Sequence, residues 1–300
     1  MKIMRIAIVL SICILFSSVG KAAPEQKTFA TPVEAVHALM AATEAGDQDA
    51  LLSIFGDDGK DLVNSGDAVQ DKAGRDAFVK AYKAKHSIVK VDDNTRLLQV
   101  GTKEWQMPIP IVLADGKWHF DTAAGKQELI YRRIGANELG AIAACRGYLA
   151  AQTDYAAVGH DGLPAGIYAQ RLVSEPGKQN GLYWETAEGD PPSPAGPFLA
   201  KAGDEGYQKG DPYHGYYYRS LKAQGSAARG GAKSYLEDGK LKGGVALVAY
   251  PAQYRSSGVM TFIINQDGVV YQKDLGENTA DLAKAITEFN PDRSWKKVTD

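Results

Sequence analysis

The chain has 300 residues, of which 34 are Lys or Arg and 36 are Asp or Glu, and its formal net charge at pH 7 is -2. The charges are evenly spread and form no basic run, which argues against binding to nucleic acid or to an anionic membrane surface. The two cysteines are Cys13 and Cys145. Cys13 lies in an N-terminal segment that we expect to be removed, so the remaining thiol cannot form an internal disulfide.

The N-terminus has the three-part layout of a secretory signal. Lys2 and Arg5 form a positive start, residues 6–16 form an uncharged apolar core, and a run of small residues ends at Ala22. The apolar core is too short to span a bilayer. We therefore expect a signal peptide over residues 1–22 and a periplasmic or secreted mature chain with no membrane span. Removal of the signal peptide takes away three positive charges, which leaves the mature chain with a net charge of about -5.

The first part of the mature chain, residues 23–135, opens with helix signals. Thr31 is a candidate N-cap, and Glu34 completes a capping box three residues later. Gly46 is suited to end this helix, and Asp47 is suited to cap a second one. The sequence therefore predicts two consecutive helices before the first acidic loop.

A third helix and a run of strands follow. The helical period continues over residues 75–86 and then changes to two over residues 87–101 and 104–122. Residues 114–117 fit a hairpin turn, and residues 127–135 are predicted to form a last strand. Helices followed by consecutive antiparallel strands predict an α+β domain in which the helices pack on a curved antiparallel sheet.

The order of these elements, and the run TPVEAVHALMAATEAGDQDALLSIFG in particular, resembles the nuclear-transport-factor-like (SnoaL-like) superfamily over residues 28–135. This resemblance implies a cone-shaped domain whose sheet lines a cavity. His119 and Asp121 alternate along one strand and would share a face. An imidazole beside a carboxylate could transfer a proton, as the resemblance implies from the ketosteroid isomerases of this superfamily. His119 and Asp121 are therefore our ligand-binding candidates, and an exposed pair without a function is the alternative.

A long, alanine-rich helix is predicted over residues 137–157. It carries two stripes of mostly apolar side chains, so it must be covered on two faces: Leu139, Ile142, Arg146 and Leu149 on one, and Ala141, Cys145, Tyr148, Gln152 and Tyr155 on the other. A small antiparallel sheet could cover one face, and the first domain or a long loop the other.

The Gly/Pro-rich residues 159–212 come next. They read either as a disordered linker or as an ordered loop packed on the helix, and the apolar residues around Trp184 favour the ordered loop. From Tyr213 onward, β-branched and aromatic runs predict an antiparallel meander. Thr279 is predicted to cap a closing helix that Pro291 stops.

One resemblance covers this second part, residues 136–300, and another covers the whole mature chain. A long helix, an irregular loop and an antiparallel meander resemble the globular part of type IV pilins and pseudopilins, without the apolar half of the helix through which pilins polymerise. The runs GLYWE, PFLAKAGDEGY, PYHGYYYRSLKAQG and SGVMTFIINQDGVVYQKDLG resemble the bacterial domain-of-unknown-function family 2950. That family implies an exported protein and transfers no activity or catalytic residue.

No catalytic or metal-binding motif stands out. Cys145 lies among small apolar residues, which favours a buried core position over a nucleophile. The acidic residues Asp57, Asp58 and Asp61 do not have the spacing of a calcium loop. We therefore predict no metal and no cofactor. The tyrosines of the run HGYYY could stack on a carbohydrate or a peptide, or could belong to the core.

Three functions remain open. The first is an exported envelope protein that acts as a non-catalytic protein-interaction or binding module, with an envelope or secreted protein as its partner. The second is a small-ligand binding protein or a proton-transfer enzyme that uses the N-terminal cone. The third is a spacer. An open polar pocket under the N-terminal sheet would favour the ligand-binding or enzymatic function. A core filled by Trp118 and Phe120 would favour the interaction module.

Overall fold

The computed structural model describes residues 26–187 and 189–299, so the predicted signal peptide lies outside the described residues. Helices and antiparallel sheets both contribute, and the predicted α+β class is confirmed. In these two ranges no helix combines the length and the hydropathy that crossing a bilayer requires.

The chain opens with a group of short helices that begin and end at the residues which the sequence indicates. Thr31 caps the first helix through a hydrogen bond from Glu34 N, and Asp47 caps the second through one from Ala50 N. Gly46 adopts the left-handed conformation that ends the first helix. The helices are α1 (Pro32–Ala45), α2 (Gln48–Phe55), a 3₁₀ turn (Asp57–Gly59), α3 (Lys60–Val63) and α4 (Ala68–Ala84).

The first sheet follows directly, and its strands are joined by local connections. Asp115 and Gly116 both have positive φ, which is the turn geometry that closes a two-residue hairpin. The order is β1-β2-β4-β5, with β3 paired to β2. The strands are β1 (His86–Lys90), β2 (Thr95–Val100), β3 (Trp105–Gln106), β4 (Ile111–Ala114) and β5 (Lys117–Phe120).

One helix of 36 residues, α5 (Thr122–Ala157), runs through the middle of the chain. The strand predicted over residues 127–135 is therefore wrong. Asp121 caps the new helix, and the positions buried along its first half, Ile130, Ile134 and Asn137, recur at helical spacing. A continuous stripe of this period can be buried by a helix but not by a strand.

The two halves of α5 pack against different neighbours. In the first half, the Arg133 guanidinium donates to the carbonyls of Asp61 and Leu62, and the Lys126 ammonium lies 2.9 Å from the Asp61 carboxylate. In the second half, Glu138 accepts hydrogen bonds from the backbone N–H groups of Val259 and Met260. The helix thus crosses the boundary that the sequence predicted near residue 135.

After α5 the chain forms a second, larger sheet with the antiparallel order β14-β13-β12-β11-β6. Two short ribbons, β7-β8 and β9-β10, lie beside it. The elements are α6 (Gly196–Glu205), β6 (Tyr216–Leu221), β7 (Ala223–Gln224), β8 (Lys233–Ser234), β9 (Leu236–Glu237), β10 (Lys240–Leu241), β11 (Ala246–Pro251), β12 (Met260–Asn265), β13 (Tyr271–Asp274), α7 (Thr279–Ala285) and β14 (Lys296–Lys297).

The second half of α5 is covered on two faces. Cys145 and its neighbour Ala141 pack against Phe262 and other side chains of the large sheet. On the other face, Tyr155 packs with Leu182 from the Gly/Pro-rich segment. One residue of the predicted apolar stripes departs from this arrangement, because Leu139 is 71% exposed.

The closing helix is shorter than predicted. It ends at Ala285, and the N-cap position is Asn278 rather than Thr279. The Thr279 hydroxyl donates to the Gly276 carbonyl instead of capping the helix.

Candidate functional site

The residues that the sequence singled out lie on β5 and at the start of α5. Trp118 and Phe120 are buried in the first core, so His119, between them on the strand, faces the opposite side of the sheet. The Asp121 carboxylate accepts a hydrogen bond from Ala124 N, 3.2 Å away, and caps α5. Asp121 therefore has a structural role at the start of α5. The role of His119 and Asp121 in ligand binding stays a prediction.

The space between the first sheet and its helices is filled by side chains. Four residues of the sheet and its connections are completely buried there: Leu98, Ile109, Ile111 and Phe120. Ile54 of α2 and Leu39 of α1 close the same core from the helix side. These side chains occupy the position where the cone hypothesis expected a polar cavity.

Cys145 and part of the tyrosine run HGYYY are buried in the core. Cys145 is buried as predicted, and burial raises the pKa of its thiol to about 12, so the reactive thiolate is not formed near neutral pH. Of the clustered tyrosines, Tyr216 is completely buried and donates to the Met260 carbonyl, whereas Tyr217 is exposed. The run therefore belongs partly to the core. Among residues 26–187 and 189–299, no three His, Cys, Asp or Glu side chains are arranged to hold a metal ion.

A different site lies in the Gly/Pro-rich segment, around Trp184. The His160 ring stacks on Tyr155 with 4.1 Å between ring centroids, and it lies 5.3 Å from the Trp184 ring. His160 is only 9% exposed, and its two ring nitrogens lie 3.0 Å from the Tyr155 carbonyl and 3.2 Å from the Gln179 side-chain oxygen. The Tyr155 hydroxyl in turn donates to the Gln179 carbonyl. This packing holds Trp184 against the end of α5.

Two cavities, of about 510 and 480 Å³, meet at Trp184. Both volumes fall in the range of ligand sites. Trp184, Glu185, Thr186 and Pro192 line both cavities, so the two are contiguous. We call this pair of cavities and the residues that line it the Trp184 groove. The other lining residues are Tyr183, Ser193, Gly196, Pro197 and Ala200 for the larger cavity, and Asp154, Val158, His160, Gln179, Ala187, Asp190, Pro191 and Pro194 for the smaller one.

The backbone at the centre of the groove is open. Residues 182 and 183 pair with the strand-like residues 171–174 through three hydrogen bonds. Beyond that point, residues 184–186 make no hydrogen bond, by backbone or side chain, to any described part of the chain. Peptide groups that remain unpaired at the surface are available to a ligand.

The groove also has a one-sided charge. Asp154, Glu185 and Asp190 line it, and among the described residues no Lys or Arg lines either cavity. None of these three carboxylates forms an ion pair with another described residue. With its aromatic wall, unpaired backbone and uncompensated carboxylates, the Trp184 groove is our candidate binding surface. Cys145 lies outside this groove, and both ring nitrogens of His160 are engaged by neighbouring oxygens.

A second polar cluster, which we call the Asp67 clasp, joins the two halves of the chain. Asp67 is 1% exposed, and its carboxylate accepts hydrogen bonds from Gln70 N, the Tyr207 hydroxyl and Gly215 N at 2.8–3.0 Å. Asn137 of α5 accepts from the Gln70 side chain and donates to the Ser257 carbonyl. Each of these side chains makes at least one hydrogen bond to a neighbour, although the Gln70 Oε1 atom has no partner among the described residues. We assign the clasp a structural role.

The family model for a protein of unknown function (DUF2950) matches residues 26–298. The chain belongs to the DUF2950 family. The resemblance drawn from runs such as GLYWE is therefore confirmed, and the match covers both sheets and the helix between them. No curated protein and no solved structure matches the chain, and the SnoaL-like and pilin-like resemblances stay predictions.

Sequence reasoning missed the groove in this DUF2950 chain, although signals for it were present. Trp184 lies in the run GLYWE, and four prolines follow within residues 191–197. Aromatic and proline residues in one irregular segment are typical of a packed recognition loop. What the sequence could not indicate was that Tyr155, near the end of the helix, and His160, just beyond it, would stack on each other and contact that tryptophan.

Proposed function

We propose that this DUF2950 protein is an exported envelope protein that acts as a non-catalytic interaction module and contacts a protein partner through the Trp184 groove. The single observation that carries this function is the pair of contiguous cavities on a firmly held tryptophan with unpaired backbone beside it. Aromatic side chains in well-packed pockets provide much of the affinity in protein interfaces. Export is inferred from the N-terminal residues 1–22, whose layout is that of a signal peptide.

The alternative, a ligand site or proton-transfer enzyme in the N-terminal domain, is favoured less by the geometry. It needs an open polar cavity under the first sheet, and apolar side chains such as Phe120 and Ile111 occupy that space. It also needs His119 and Asp121 to act on one ligand, whereas Asp121 is engaged as a helix cap.

Site-specific photocrosslinking tests the interaction function. A photoreactive amino acid is introduced at Thr186, which is exposed in the groove. Val91, which is exposed in the connection between β1 and β2, receives it as a matched control. The proteins are then made in the native cells and irradiated. We expect a defined protein adduct at Thr186 that is absent at Val91 and is lost when Trp184→Ala is added. Equal labelling at both positions, or none at either, would rule out the groove as the contact surface.

A further inference from the structure

We infer that the occupant of the Trp184 groove is an extended, basic peptide segment of the partner, one that carries lysine or arginine side chains. This inference rests on the proposed function and adds to it the chemistry of the ligand. Four features of the groove support it: its charge, its aromatic wall, its unpaired backbone and a buried hydroxyl without a partner.

The charge of the groove selects for a cation. Asp154, Glu185 and Asp190 line the smaller cavity, and Glu185 also lines the larger one. Three basic residues of the neighbouring segments are engaged elsewhere: Arg171 and Lys178 pair with Glu175, and Lys201 pairs with Glu205. The three carboxylates therefore lack a counter-charge from the described residues, and a ligand with positive side chains would supply it.

The aromatic wall favours the same ligand. Trp184 is only partly buried and lines both cavities, so one surface of its side chain is open to a ligand. The face of an indole ring attracts an ammonium or guanidinium group, and it does so most strongly among the aromatic side chains. Acidic groups beside an accessible tryptophan thus recognise lysine and arginine by two independent interactions.

The backbone distinguishes a peptide from a free amine. Residues 184–186 continue a short paired stretch, and their peptide groups lack partners within the described chain. An extended peptide can satisfy such groups by pairing with residues 184–186 as an added strand. Alternate side chains of the added strand would point to opposite faces, and two contiguous cavities are available to receive them. A small polyamine would satisfy the carboxylates but not the backbone.

Ser193 adds a polar contact at the base of the larger cavity. Its hydroxyl is buried and has no hydrogen-bond partner among the described residues. Buried hydroxyl groups are nearly always paired in folded proteins. A polar group of the ligand that reached this hydroxyl would complete the pairing.

Binding is measured by titration calorimetry on the chain from Ala23 to its end, with a short end-blocked peptide in which lysine and threonine alternate. A peptide with glutamate in place of lysine, and spermine, are the comparison ligands. The test variant carries Asp154→Asn, Glu185→Gln and Asp190→Asn. A control variant carries three equivalent changes at exposed positions elsewhere: Asp58→Asn, Asp115→Asn and Glu277→Gln.

We expect the lysine peptide to bind the unaltered chain and the control variant equally, and to bind the test variant roughly tenfold more weakly. Its affinity should fall as salt is added, and the glutamate peptide should not bind. Absence of lysine-peptide binding, equal binding of the glutamate peptide, or an unchanged affinity in the test variant would overturn the basic ligand. Spermine binding as tight as the peptide would overturn the peptide. A groove-specific photocrosslink found together with any of these results would leave the interaction function standing and remove only this inference.

Discussion

Replacement of Asp67 by alanine is the sharpest probe of how the two halves of the chain are joined. The carboxylate is 1% exposed and accepts three hydrogen bonds, one local, from Gln70 N, and two from the distant residues Tyr207 and Gly215. Alanine removes all three acceptors at once. It leaves the Gly215 peptide N–H without a partner in a buried position.

The loss of unfolding free energy in Asp67→Ala can be estimated from these hydrogen bonds. A hydrogen bond to a charged group contributes about 1.5–3 kcal/mol, and a buried donor left unpaired costs about 1–3 kcal/mol. Because the three bonds share one carboxylate, their contributions do not simply add. We expect Asp67→Ala to lower the free energy of unfolding by about 3–5 kcal/mol, the range for breaking a buried charged network. Asp67→Asn keeps an acceptor oxygen and should cost about 1–3 kcal/mol.

Urea unfolding at neutral pH, followed by circular dichroism, measures both variants. Asp47→Ala is the matched control, because Asp47 also caps a helix but is exposed and accepts only the local hydrogen bond from Ala50 N. Loss of such a local cap costs about 0.5–2 kcal/mol. If Asp67→Ala costs no more than Asp47→Ala, the hydrogen bonds to Tyr207 and Gly215 do not hold the two halves together.

Three further outcomes follow from packing and burial. Gly215→Ala should lower the thermal stability, because φ is +74° and a Cβ would lie 2.5 Å from an asparagine nitrogen of α5, whereas Gly147→Ala, with no atom within 4 Å, should not lower it. Differential scanning calorimetry of the two variants decides this. In a chain that starts at Ala23, Cys145 is the only thiol, and its raised pKa and burial predict that Ellman's reagent reacts only after unfolding; rapid labelling of the native chain would contradict it. Burial also raises the pKa of the Tyr213 phenol to about 12, whereas an unfolded tyrosine titrates near 10. Stability from such a group is complete below about pH 10 and is lost as the pH rises toward 12, so absorbance at alkaline pH should show delayed ionisation that disappears in denaturant.

Local signals in the sequence predicted local structure well. Thr31 and Asp47 cap their helices through contacts within three residues, and Asp115 with Gly116 forms the expected turn. These features depend on side chains that bond to their own neighbourhood, so no tertiary information is needed. The fold class followed from the same signals.

The secondary-structure prediction failed at residues 127–135, where tertiary packing decided between a strand and a helix. The strand predicted over residues 127–135 is part of α5, in which Tyr131 is exposed and Arg133 donates to the carbonyls of Asp61 and Leu62. The longer stripe through Ile130 and Ile134 shows the helical period only when it is read on into the following helix. A short window therefore favoured the wrong element.

The candidate groove was beyond the reach of sequence patterns for another reason. Trp184 and the prolines that follow have no periodicity, and their partners Tyr155 and His160 are separated from them by an irregular segment. The same is true of the Asp67 clasp, whose members come from four distant segments. Contacts of this kind are set by the packing of the whole chain.

Amide hydrogen exchange at residues 184–186 tests most directly whether the Trp184 groove is the binding surface. In the free chain these amides lack acceptors among the described residues and should exchange rapidly. With the alternating lysine–threonine peptide at saturation, we expect slowed exchange at residues 184–186 and no change in β1 and β2. Unchanged exchange at residues 184–186, or protection that appears on the first sheet instead, would contradict it.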